Sequence, residues 1–181
     1  LDEIIVINDE FIPLNTNKFR EAISPQGYLL LTEFKKDFFP EFIFESHGVV
    51  IKKTVAMVQG ENTTVVLYNV LKASSSFTFK LLPLISGRDY HSLHSANEEF
   101  NKKCTFENGI FKTKPYASTP EIFISIPNAA LREDPNWFYQ FDYAIERYRG
   151  ADCEEDLFNH GTFSLKLNAG DSFGVILSTE D

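Results

Sequence analysis

From Ser76 onward the chain alternates strictly: Phe77, Phe79 and Leu81 are apolar, whereas Ser76, Thr78 and Lys80 are polar. Successive side chains of a strand point to opposite faces, so a period of two writes a strand with one buried and one wet face. The pattern recurs after Gly161, where Phe163, Leu165 and Leu167 alternate with Ser164, Lys166 and Asn168. Val49–Val58 and Thr63–Leu71 are longer, rich in β-branched residues and apolar on both faces in places, which predicts central strands. Gln59-Gly60-Glu61-Asn62 joins them with residues suited to a hairpin connection. A second hairpin is predicted at Glu107-Asn108-Gly109, because Asn-Gly supplies the left-handed backbone that a two-residue loop demands.

Further strands are predicted at Ile4–Ile7, Tyr28–Phe34, Phe42–Glu45, Glu121–Ile126 and Phe173–Ser178. Helical signals are weak. Asn97–Lys103 carries one, and Asn136–Arg149 carries another, but Trp137, Tyr139, Phe141 and Tyr143 stand at spacing two and favour a strand there. About ten short strands without alternating helices predict an all-β, antiparallel sandwich with few short helical segments. No repeat and no Pro/Gly/Ser linker divides the chain, so residues 1–181 are expected to form one domain. The 18 Phe residues suit such a pleated, half-buried surface.

A net charge of −9 argues against nucleic acid or an anionic membrane as a partner and leaves a neutral partner such as a sugar unaffected. The acidity is equally well read as a solubility feature. No apolar run approaches the roughly 20 residues of a membrane helix. Two cysteines, Cys104 and Cys153, make neither a disulfide framework nor a CxxC metal pair, which fits a reducing, cytoplasmic setting. Leu1-Asp2-Glu3-Ile4-Ile5-Val6-Ile7 lacks the basic start of a signal peptide and reads as a strand already under way. The chain is therefore expected to be a piece of something longer. A truncated sheet edge there would offer unpaired backbone to a second copy.

The usual catalytic signatures, GxSxG, GxxxxGK[ST], GxGxxG and HExxH, are missing, and no cofactor or metal is expected. His91 and His94 stand three apart with no third ligand suggested by spacing, and a loop pair bonded to backbone accounts for them. Glu98-Glu99, Glu133-Asp134 and Glu154-Glu155-Asp156 are acidic clusters. A glycosidase needs two carboxylates about 5–10 Å apart, and the plain reading of these clusters is a solvated acidic surface. Asn62-Thr63-Thr64 matches a glycosylation acceptor, but turn chemistry explains it in a cytoplasmic chain.

Two stretches concentrate polar and aromatic groups. Gly87-Arg88-Asp89-Tyr90-His91-Ser92-Leu93-His94 follows directly on a strand, and Trp137 through Asp156 mixes aromatic residues with Glu146, Arg147, Arg149, Asp152, Glu155 and Asp156. Aromatic faces ringed by hydrogen-bonding groups are what carbohydrate recognition uses. The alternative is that Trp137, Tyr139 and Phe141 fill the core while the charges pair at a domain junction.

In these stretches the chain resembles the N-terminal domain of bacterial and archaeal glycogen-debranching enzymes of the amylo-α-1,6-glucosidase type. The likeness rests on Gly60-Glu61-Asn62-Thr63-Thr64-Val65-Val66, then Arg88 through Leu93 with Asn97 and Phe100-Asn101. It continues through Trp137-Phe138-Tyr139, Glu146-Arg147, Arg149-Gly150-Ala151-Asp152 and Glu155-Asp156-Leu157 to the closing segment Gly161 to Thr179. The resemblance implies a β-supersandwich followed by a helical (α/α) barrel that carries the catalytic carboxylates and cuts α-1,6 branches. No position here matches those carboxylates. The Gly-rich, Arg-Arg-Tyr-His-Gly-type segment with which such domains begin is also missing. The expected role is accessory: no catalysis by this chain, packing on the helical domain, and help in shaping its glucan site. The alternative is an independent α-glucan-binding module. Arg88, Asp89, Tyr90, His91 and His94 are the expected contacts to the partner domain or substrate. Trp137, Tyr139, Tyr143, Arg149 and Asp152 are the second group.

Overall fold

The computed structural model describes residues 1–89 and 91–180. In chain order the strands are β1 (Asp2–Ile7), β2 (Glu10–Pro13), β3 (Thr16–Lys18), β4 (Ile23–Gln26), β5 (Leu31–Lys36), β6 (Pro40–Ser46) and β7 (Val49–Met57). They continue with β8 (Thr63–Lys72), β9 (Phe77–Leu82), β10 (Cys104–Glu107), β11 (Ile110–Thr113) and β12 (Ile122–Ser125). The last three are β13 (Ala130–Asp142), β14 (Glu154–Leu167) and β15 (Ser172–Ser178), with one short helix, α1 (Ala144–Arg149), between β13 and β14. A large sheet runs β10-β11-β12-β15-β8-β7-β6-β5 and faces a smaller one ordered β13-β14-β9-β1-β2, while β3 and β4 form a separate ribbon. The fold is all-β and antiparallel.

The alternating stretches build the interface between the two sheets. Phe79 and Leu81 are wholly buried, and they pair across strands with Leu165 and Phe163. From the large sheet, Tyr68 meets Phe79 at 5.1 Å between ring centroids, and Phe111 meets Phe163 at 5.7 Å. Each large side chain withdrawn from water here contributes roughly 1.5–3 kcal/mol. Strands β7 and β8 are central, as their two-sided apolar pattern predicts, flanked by β6 and β15. The Asn108-Gly109 turn has φ of 52° and 79°, and Glu107 pairs with Ile110 around it.

Four expectations need correction. The strand expected from Tyr28 starts only at Leu31, because Gly27–Leu30 makes a 3₁₀ turn. The Gly27 N–H donates to the Asn15 carbonyl at 3.0 Å and the Tyr28 N–H to the Thr16 hydroxyl at 2.9 Å, so these amides are taken before the chain reaches β6. Asn97–Lys103 is not helical. The Asn97 and Asn101 side chains accept from the Glu99 and Lys103 amides, both at 3.1 Å, and this local bonding competes with a helix. Asn136–Arg149 is not one strand: β13 stops at Asp142, and α1 follows, closed by Gly150 at φ 75°. Finally, β1 is no sheet edge, since β9 and β2 flank it on both sides.

Candidate functional site

Beyond β9 the chain leaves the smaller sheet at Pro83, bridges to β14 at Ile85, and enters the large sheet at Cys104. This loop is sewn to the first half of β14. The Ile85 N–H donates to the Phe158 carbonyl at 2.8 Å, and the Phe158 N–H donates back at 2.9 Å. Gly87 then turns the chain at φ 62°, and a Cβ there would stand 2.3 Å from the Pro115 ring, so no side chain fits without displacing it.

The turn delivers Arg88 onto Glu155. The Arg88 Nε donates to Oε1 at 2.5 Å and Nη2 donates to Oε2 at 3.0 Å, a bidentate fork on a carboxylate that is 2% exposed. The Tyr143 hydroxyl donates to the same Oε2 at 2.6 Å. Burial pushes the Glu155 carboxyl up, but the Arg88 and Tyr143 hydrogen bonds and the guanidinium charge outweigh it and hold the group below its ordinary range. The Tyr143 hydroxyl is pushed up to about 12, by burial and then by its bond to Glu155. The neighbouring carboxylate, Asp156, bridges the same two segments: it accepts from the Ala96 and Gln140 amides, each at 2.8 Å. The Asp156 N–H in turn donates to the His94 carbonyl at 2.9 Å.

Of the residues expected from sequence, Arg88 and Tyr143 thus meet on Glu155, with His94 beside them through its backbone. The His94 ring packs edge-on against Tyr116 at 5.5 Å. Asp89 is exposed and accepts from both the backbone N–H and Nδ1 of His91 at 3.0 Å, chiefly the backbone bond holding its carboxyl below the ordinary range. Tyr90 lies outside the described residues. Trp137 is half-buried and packs against the core, 5.0 Å from Phe100 and 5.1 Å from Phe158, and not as an open surface platform. Tyr139 is 56% exposed, because Gln140 at φ 63° forms a bulge that breaks the alternation. Arg149 is exposed and pairs with Glu146 at 3.2 Å, and Asp152 is exposed on the turn after α1.

The acidic clusters divide. Glu98, Glu99, Glu133 and Asp134 are exposed, as a solvated surface requires, whereas Glu155 is buried. Glu155 is the residue that organises the site, and within its Glu-Glu-Asp run nothing local distinguishes it. Its chemistry is that of a clasp. A general acid of glycoside hydrolysis needs a raised pKa, and an Arg-forked carboxylate has the reverse. Cys104 and Cys153 are free thiols.

This is an all-β sandwich whose most organised polar cluster ties a long loop to a strand instead of pairing two carboxylates across a cleft. Residues 1–174 match the family described as glycogen debranching enzyme N terminal, and the chain belongs to that family. No curated protein matches it. Among the described residues, no helix is long and apolar enough to cross a membrane.

Proposed function

We propose that this chain is the non-catalytic N-terminal domain of a cytoplasmic glycogen-debranching enzyme, an amylo-α-1,6-glucosidase in α-glucan breakdown. It packs on the helical catalytic domain and helps shape that domain's glucan site. The observation that carries this reading is the clasp: Arg88 neutralises Glu155, and Asp156 accepts from one backbone amide on each oxygen. These groups tie Arg88, His94 and Ala96 to β14, which supports a surface held ready for a neighbouring domain. The free thiols support a reducing compartment.

The test is glucose release from a branched α-glucan. The 181-residue chain is expected to release none above buffer. Turnover that disappears in Glu155→Gln would overturn the proposal. A second reading, an independent glucan-binding module, draws support from the exposure of Tyr139 and Tyr148.

A further inference from the structure

Among the described residues the large sheet ends in β5 and β10, and the smaller one in β13 and β2. An edge strand presents a row of unpaired N–H and C=O groups. Strands β2 and β10 are four residues long, and β13 is broken by Pro135 and two register shifts. By contrast β5 keeps an unbroken register with β6 from Glu33 to Lys36, and its residues from Thr32 onward are exposed. The same stretch of chain concentrates bare apolar groups: Tyr28, Leu29, Phe34, Phe38 and Phe39 are all exposed, Phe38 at 89%. An apolar cluster along an open edge marks a surface for another chain.

The charges on β5 select that chain. Phe34 pairs with Phe42, their rings 4.9 Å apart, so both point to the inner face with Phe44, which pairs with the buried Ile51. Glu33 and Lys35 point to the other face, 2.7 Å apart in an ion pair. Two copies related by a two-fold axis across antiparallel edges keep matching faces only if one residue opposes itself. Centring the axis on Glu33, Lys35 or Lys36 sets like charges face to face, which destabilises the pairing. Centring it on Phe34 sets Glu33 of each copy opposite Lys35 of the other and brings the two Phe34 rings together. Carried past the strand, this register brings Phe38 and Phe39 of one copy towards Leu30 and Leu29 of the other. Lysines on an edge deter arbitrary strands, but here Glu33 answers Lys35.

We propose that β5 pairs antiparallel with β5 of a second copy about Phe34, joining two large sheets into one. Such short strands make a small interface, so the dimer is weak and concentration-dependent. Sedimentation equilibrium of the 181-residue chain over rising concentration tests it, beside Lys35→Glu, Glu33→Lys and the two changes combined. Both positions are exposed, so these variants spare the fold. Dimerisation is expected, weakened at least about tenfold by either single change. The combined change sets acid opposite base again and is expected to restore it. A monomer up to roughly 0.5 mM, a dimer indifferent to Lys35→Glu, or a loss that the combined change does not repair overturns the β5 pairing. Leu67→Ser, at an exposed position on the outer face of the large sheet, is the control. A dimer lost there and kept in Lys35→Glu puts the contact on that face and equally overturns the proposal.

Discussion

Arg88 forks onto Glu155 across 67 residues of sequence and fastens a loop to the half of β14 that carries no alternating pattern. A buried charge that loses its partner is left uncompensated, typically at about 3–5 kcal/mol. Arg88→Ala is therefore expected to lower the melting temperature by roughly 10 °C for a chain of this size. Arg88→Met combined with Glu155→Leu is expected to recover much of that loss, since neither charge then remains buried. Thermal melts of the single and double variants measure this.

Acid is expected to weaken the fold in two stages. His160 is buried among Phe100, Phe111 and Phe158, and burial lowers its pKa from 6.5 to about 4. The unfolded chain binds a proton there that the folded one refuses, so stability is full above about pH 6.5 and falls towards pH 4. The slope is about 1.4 kcal/mol per pH unit inside that window. Glu155, held low, contributes stability above its ordinary 4.5 that disappears as pH drops through its folded value. Urea midpoints from pH 7 to 3 check the sign, and His160→Gln is expected to flatten the upper stage alone.

Trp137 and Tyr139 are expected to behave as opposites. Trp137→Ala removes a half-buried ring from against Phe100 and Phe158 and is expected to cost about 1.5–3 kcal/mol. Tyr139→Ala, at an exposed position, is expected to stay within about 0.5 kcal/mol. Chemical denaturation of both variants separates a core stripe from a surface one.

Gly87→Ala combines a left-handed φ with a collision against Pro115. It is expected to destabilise by about 1–3 kcal/mol. Amide exchange is expected to rise first in the Ile85–Phe158 pair, where the loop is sewn to β14.

The strands that alternate were legible because their period is local, and Asn108-Gly109 announced its own hairpin. The first half of β14 was not, because Glu155, Asn159 and His160 are buried polar residues and break the apolar count. The spacing of Trp137 and Tyr139 marks a strand, but not that the two face differently, because Gln140 resets the phase of β13. Arg88 and Tyr143 stood out as polar and aromatic punctuation in their loops, but the carboxylate joining them did not. An acidic run reads as solvated until a partner distant in sequence is known, and Arg88 supplied that partner only in three dimensions.

Titration of the chain into the separately produced catalytic domain of its parent enzyme asks whether the clasped loop serves that domain, as proposed above. Saturable association is expected, weakened at least about tenfold in Arg88→Ala at a temperature where that variant is folded. Absence of association between the two folded parts, or association indifferent to Arg88→Ala, would contradict it.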